Sequence, residues 1–169
     1  MNVQLFPNEQ QLCAARILIV DDEAADIRVI EWAFRQARFP NFRSVSDSTR
    51  AREAFIEFQP DLVLLDLYMP QLDGFGVLKQ VRELAPTGEF LPVLMFTGQN
   101  TPEMRSRAIA AGASDFLGKP VDHTEVILRI RNLLQTRFLH QQARDMQKQL
   151  EAVPAAGKTN PQPKPGRKP

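Results

Sequence analysis

Short, mostly apolar runs, weakest at Phe42 to Val45, alternate along the chain with longer stretches whose apolar residues recur every three or four positions. Ile17-Leu18-Ile19-Val20, Phe42 to Val45, Asp61 to Asp66, Pro92 to Phe96 and Asp115-Phe116-Leu117 predict five strands. Leu62 to Leu65 is apolar without alternation, the mark of a strand buried on both faces, as in parallel sheets. From Ala24 the spacing turns helical: Ile27, Ile30 and Phe34 share one face, Arg28, Glu31 and Arg35 lie off it, and Trp32 sits near the stripe's edge with packing as its expected role. A second helix carries Ala51, Ala54, Phe55 and Phe58 inward, and a third starts near Asp73-Gly74 and buries Val77, Leu78 and Val81. Thr101-Pro102 supplies an N-cap and a first-turn proline for a fourth helix through Met104, Ala108, Ile109 and Ala111, which Gly112 closes. Asp122 opens the longest helical stretch, reaching about Val153. Pro40 and Gln59-Pro60 act as stops between units.

Strands alternating with helices predict an α/β protein with a parallel sheet covered on both faces. Right-handed crossovers then favour a doubly wound five-stranded sheet of order 2-1-3-4-5, the flavodoxin-like arrangement. Residues 1–15 read as an N-terminal extension with little structure, 16–138 as the folded domain, 139–153 as an extension of the last helix, and 154–169 as a disordered tail rich in Pro and Lys. Within the extension, Leu139, Ala143, Met146, Leu150 and Val153 are spaced 4, 3, 4 and 3 apart. Such an a/d seam beyond the sheet's reach predicts a partner, with a second copy of the chain the simplest.

Composition narrows the class without choosing a function. A hydrophobic content of 43%, charged content of 24% and net charge of +1 describe an ordinary globular protein with no general pull toward nucleic acid or acidic lipid. Cys13 is the lone cysteine, which suits a reducing compartment. The opening residues lack the basic start and apolar run of a secretory signal, and no stretch approaches a membrane span. A cytoplasmic location is expected. His123 and His140 are read as isolated, exposed helix residues, and Lys158, Lys164, Arg167 and Lys168 as solubilising charges.

The chemistry lies where the strands end. In a doubly wound sheet every strand's carboxyl end meets one edge, where such folds bind their ligands. The first strand ends at Asp21 and Asp22, the third at Asp66, the fourth at Thr97 and the fifth at Lys119. Asp66 alone would read as a turn cap. Three carboxylates at one edge repel unless a cation joins them, and hard oxygen ligands with room for water suit Mg²⁺. A hydroxyl, a cation and a metal around an acidic nucleophile equip the edge for phosphoryl transfer to a carboxylate. A flavin-phosphate site would instead need hydroxyl and glycine donors where Asp21, Asp22 and Glu23 stand. A phosphohydrolase with an aspartyl intermediate commonly carries a second acid two residues past the nucleophile, where this chain has Tyr68.

Across roughly Arg16 to Leu134 the chain resembles a receiver domain of the two-component response-regulator family. The resemblance rests on Ile17 to Glu23, Asp61 to Asp66 with Met69 to Gly74, Phe96-Thr97-Gly98 and Gly118-Lys119-Pro120. It implies that Asp66 accepts phosphate from a histidine kinase or phosphotransfer protein. It further implies that Asp22 ligates Mg²⁺ directly, that Asp21 does so largely through water, and that the Tyr68 backbone carbonyl coordinates too. By the same resemblance Lys119 pairs with the phosphoryl group, Thr97 is the switch hydroxyl and Phe116 the aromatic switch. Tyr68 and Gln99 stand where family members vary and tune hydrolysis of the acyl phosphate. The implied activity is self-phosphorylation from a donor and slow dephosphorylation, not turnover of a substrate. No helix-turn-helix, zinc-ligand spacing or phosphodiesterase-type His-Asp cluster marks an effector. Output through protein–protein association is therefore expected, with no nucleic-acid or membrane contact evident. The alternative is a receiver-like scaffold or dimerisation module that signals without phosphate.

Overall fold

The apolar runs form strands β1 (Ile17–Val20), β2 (Phe42–Val45), β3 (Leu62–Asp66), β4 (Val93–Thr97) and β5 (Asp115–Gly118) of one sheet, ordered β2-β1-β3-β4-β5. The computed structural model describes residues 7–99, 101–120 and 122–152. All strand pairs are parallel, with Val20 opposite Leu65, Asp66 opposite Phe96 and Thr97 opposite Gly118. That register brings the polar ends of β1, β3, β4 and β5 to one edge.

Alternation within each strand, with both faces covered, explains why the central runs β1, β3 and β4 are apolar up to their last residue. Leu18, Val20, Val63, Leu65, Val93, Met95 and Phe116 project to one face, under α3 (Ala51–Phe58), α4 (Gly74–Leu84) and α5 (Pro102–Ala110). Ile17, Ile19, Leu62, Leu64, Leu94, Phe96 and Leu117 project to the other, under α1 (Glu9–Cys13), α2 (Ala24–Gln36) and α6 (His123–Ala152). Edge strand β2 is half-buried along its length, in keeping with Arg43 and Ser44 interrupting its apolar residues. The helix ends follow their capping residues. Asp73 Oδ1 accepts from the Gly76 N–H at 2.8 Å, and Thr101 Oγ1 from the Met104 N–H at 3.2 Å. Gln59 closes α3 in a left-handed conformation, and Gly112 follows α5 with φ +103°.

Two expectations fail. The segment expected to have little structure contains α1, closed by a reciprocal cap: Asn8 Oδ1 accepts from the Gln11 N–H at 2.8 Å, and Gln11 Oε1 accepts from the Asn8 N–H at 2.9 Å. Leu12 is buried in the core facing α6, and Glu9 pairs with Arg131 at 2.7 Å, so tertiary contact holds a helix too short to stand alone. Trp32, expected to pack, is 53% exposed. Two residues past Ile30 it falls across the helix from the buried stripe, with its ring edge-on to His123 at 5.3 Å.

Helix α6 remains attached beyond the sheet. Arg137 donates to the Phe90 carbonyl at 2.9 Å and to Asp61 at 3.3 Å, the His140 ring stacks on Phe90, and Arg144 pairs with Glu89 at 3.2 Å. On the opposite side of the helix Leu139 is half-buried, Ala143 is exposed, and Met146 and Leu150 are 40% and 76% exposed. Val153 and the tail lie outside the described residues. Both histidines are exposed, as expected. Among the described residues, no helix is long and apolar enough to cross a membrane.

Candidate functional site

At the carboxyl edge of the sheet, Asp21, Asp22 and Asp66 each offer a carboxylate oxygen, all within 4.8 Å of one another. Asp21 and Asp66 are buried because the register ends β1 and β3 one residue apart, beneath the loops that follow. Thr97, the last residue of β4, is fully buried, and its Oγ1 accepts from the Gln99 N–H at 3.3 Å. From the end of β5, Lys119 reaches across the sheet, its Nζ 4.6 Å over the Phe96 ring. The Lys119 ammonium lies 3.0 Å from Asp66 Oδ1 and 3.0 Å from Asp21 Oδ2.

The electrostatics follow from this crowding. Burial raises the Asp21 carboxyl to about 6, against hydrogen bonds from the Glu23 N–H and Lys119 that favour its ionised form. Burial likewise pushes Asp66 up, and Lys119 draws it down. Burial alone would lower the Lys119 ammonium, but hydrogen bonds to Asp26, Asp66 and Asp21 outweigh it and hold its pKa above the ordinary value. Lys119 therefore carries its charge throughout the working pH range.

The donor set fits a hard divalent cation. Asp22 Oδ1 is buried without a hydrogen-bond partner among the described residues, a costly position for an anionic oxygen unless a cation meets it. Oxygen donors with one such orphan suit Mg²⁺ better than a softer metal. Asp21, Asp22 and Asp66 would hold it, with the Tyr68 carbonyl as the backbone donor that the motif resemblance implies.

Of the residues singled out from sequence, Asp21, Asp22, Asp66 and Lys119 form this cluster, and Thr97 ends the neighbouring strand. Tyr68 and Gln99 meet each other: the Tyr68 hydroxyl donates to Gln99 Oε1 at 2.8 Å, linking the loops after β3 and β4. The Tyr68 N–H donates to Asp66 Oδ2 at 3.1 Å. Phe116 is 1% exposed and belongs to the core beneath α3, α4 and α5. One participant was not foreseen. Asp26, in the first turn of α2, lies 2.7 Å from Lys119 Nζ. Its place in the first turn of the helix that follows the Asp21-Asp22 strand end is the sequence signal that would have found it.

Residues 17–131 match the response regulator receiver domain family. The chain is 37% identical over 125 residues to the response regulator PleD of Caulobacter vibrioides, covering 74% of this chain and 27% of PleD. It is 34% identical over 119 residues to the DNA-binding transcriptional regulator RpaA of Synechocystis, covering 70% of this chain and 48% of RpaA. The chain thus spans less than half the length of either relative. Among solved structures, NtrX from Brucella abortus superposes with a TM-score of 0.73 at 31% identity, covering 81% of this chain and 30% of NtrX. The Vibrio cholerae chemotaxis protein CheY4 superposes with a TM-score of 0.66 at 25% identity, covering 71% of this chain and 98% of CheY4.

Proposed function

This chain belongs to the response regulator receiver family, and from that premise we propose that Asp66 accepts a phosphoryl group from a phosphohistidine of a kinase or phosphotransfer protein. The observation that carries the proposal is the Lys119 ammonium 3.0 Å from Asp66 beside the unpartnered Asp22 oxygen. An Asp66 oxygen attacks phosphorus as the P–N bond to histidine breaks, with the electron pair leaving on the imidazole. Lys119 then pairs with a phosphoryl oxygen, and the Thr97 hydroxyl turns to donate to another. Mg²⁺, when bound by Asp21, Asp22, Asp66 and the Tyr68 carbonyl, supplies neutralisation of the phosphoryl charge. The Tyr68–Gln99 hydrogen bond lies across neighbouring loops and restrains water from the acyl phosphate. Phe116 occupies its buried position here, so a switch at this residue consists in shifting its occupancy between this position and a solvent-facing one.

Output runs through association. Phosphate at Asp66 biases α5, β5 and the start of α6, and α6 carries the bias as one rigid element to Leu139, Ala143, Met146 and Leu150. That stripe, half-buried at Leu139 and exposed from Ala143 onward, with Val153 beyond it in sequence, is the contact of a homodimer. The setting is cytoplasmic, without nucleic acid or membrane as partner. The scaffold alternative gains no support, because each chemical position of the edge is filled.

The test is labelling with a phosphorylated histidine kinase, or with acetyl phosphate and Mg²⁺. Wild type should take label and Asp66→Asn should not. Equal labelling of both would misassign the acceptor, and unchanged Mg²⁺ affinity in Asp22→Ala would refute the ligand set.

A further inference from the structure

The Lys119 ammonium has three N–H donors and faces three carboxylates: Asp26 Oδ2 at 2.7 Å, Asp21 Oδ2 at 3.0 Å and Asp66 Oδ1 at 3.0 Å. To pair with a phosphoryl oxygen, it must release one of them. The side chains of Asp21 and Asp66 are 0% and 5% exposed, so unpairing either leaves a buried anion that only the Mg²⁺ held by those same carboxylates would offset. The Asp26 side chain is 38% exposed and water can replace what it loses. Asp26 is therefore the partner that Lys119 gives up.

We propose that Asp26 is a positioning residue: it parks Lys119 at the mouth of the site and, by its charge, disfavours small dianionic phosphodonors. The inference rests on Asp66 as phosphoacceptor. Its first consequence concerns competition. Without the Asp26 charge, one Lys119 donor faces at most a neutral amide oxygen, which yields to the incoming phosphoryl group more readily than a carboxylate, and the mouth of the site repels anions less. Its second concerns donor charge, because repulsion grows with the charge brought in. In the step tested, an Asp66 oxygen bonds to phosphorus as the P–O bond to the acetyl group breaks and acetate leaves with the electron pair; with phosphoramidate the P–N bond breaks and ammonia leaves.

The experiment compares initial rates of Asp66 phosphorylation in wild type, Asp26→Asn and Asp26→Glu, with Mg²⁺ and either acetyl phosphate, a dianion at neutral pH, or phosphoramidate, a monoanion. Asp26→Asn should accelerate labelling by acetyl phosphate on the order of three- to fivefold at low salt. The gain should be smaller with phosphoramidate and should shrink in molar salt, which screens an exposed charge. Asp26→Glu, which keeps the charge, should behave as wild type. A rate in Asp26→Asn no higher than wild type, or a gain indifferent to donor charge and salt, would overturn the proposal. Failure of wild type itself to label would refute the phosphoacceptor reading instead. In protein without metal or donor, the Lys119 ammonium protons, followed by nitrogen-detected NMR, should exchange faster in Asp26→Asn. Unchanged exchange there would overturn the role of Asp26 independently of phosphorylation.

Discussion

Gly74 opens α4 where that helix lies closest to the strand carrying Asp66, and its N–H donates to the Leu67 carbonyl at 2.9 Å. A Cβ at Gly74 would press into the Asp66 carbonyl oxygen, lie 2.8 Å from Leu67 Cα and 3.1 Å from Met95 Cε. Two of those neighbours are backbone of the strand end itself and cannot rotate away. Overpacking of this kind costs about 1–3 kcal/mol. Alanine's better helix propensity returns at most about 1 kcal/mol. From the middle of the overpacking range, Gly74→Ala should therefore lose about 1–2 kcal/mol. With a urea dependence of about 1–3 kcal/mol per molar, the unfolding midpoint should drop by about 0.5–1 M. Gly76→Ala is the internal control, since its Cβ would meet chiefly the end of the Leu72 side chain, which can swing aside. That variant should unfold within about 0.5 kcal/mol of wild type. Because the displaced atoms are those that carry Asp66 and lead to Tyr68, Gly74→Ala should also slow phosphorylation. Urea titrations of the three proteins decide the point: a midpoint for Gly74→Ala equal to that of Gly76→Ala would refute the close-packing argument.

Further outcomes follow from charge and exposure. Asp21 is raised to about 6 from its ordinary 3.8, so the folded state binds a proton more tightly than the unfolded chain. Its contribution to stability is fully present below about 3.8 and is lost as pH rises through about 6, so the metal-free urea midpoint should fall over that window, with a weaker fall in Asp21→Asn. Mg²⁺ held by Asp21 must displace the same proton, so its affinity by calorimetry should weaken as pH falls below about 6, by up to about tenfold per unit for one proton; equal affinity at pH 7 and pH 5 would show that metal binding displaces no proton from Asp21 in that window. Leu150 is 76% exposed on α6, and Leu150→Glu should weaken self-association in sedimentation by placing charge in an apolar contact. A wild type that is monomeric with and without a phosphate mimic would remove the stripe from the mechanism.

The core of the site was legible because parallel strands in one sheet present their carboxyl ends together. Once Ile17–Val20, Leu62–Asp66, Val93–Thr97 and Asp115–Gly118 are strands, the convergence of Asp21, Asp22, Asp66 and Lys119 follows from topology. What escaped depends on helices and rotamers. Asp26 reaches Lys119 from a helical turn, where a strand-end argument does not look. The Tyr68–Gln99 hydrogen bond joins two loops whose residues were each singled out from sequence but whose meeting was not expected. Helix α1 was missed because one buried leucine makes no periodic pattern, although Asn8 and Gln11 spell a capping box. Arg137 reads as a surface residue by type, yet it is 7% exposed and ties α6 to Asp61 and Phe90. Long-range ties of this kind have no local signature.

The central claim is that Asp66 itself carries the phosphoryl group. An acyl phosphate, unlike a carboxylate or a phosphate ester, is reduced by borohydride to an alcohol, so a phosphorylated aspartate becomes homoserine. After reaction with acetyl phosphate and Mg²⁺, borohydride reduction and peptide mass spectrometry should place homoserine at position 66 and at no other aspartate, with none in protein treated without donor. Homoserine at Asp21, Asp22 or Asp26, or label on the protein with position 66 unaltered, would contradict the account.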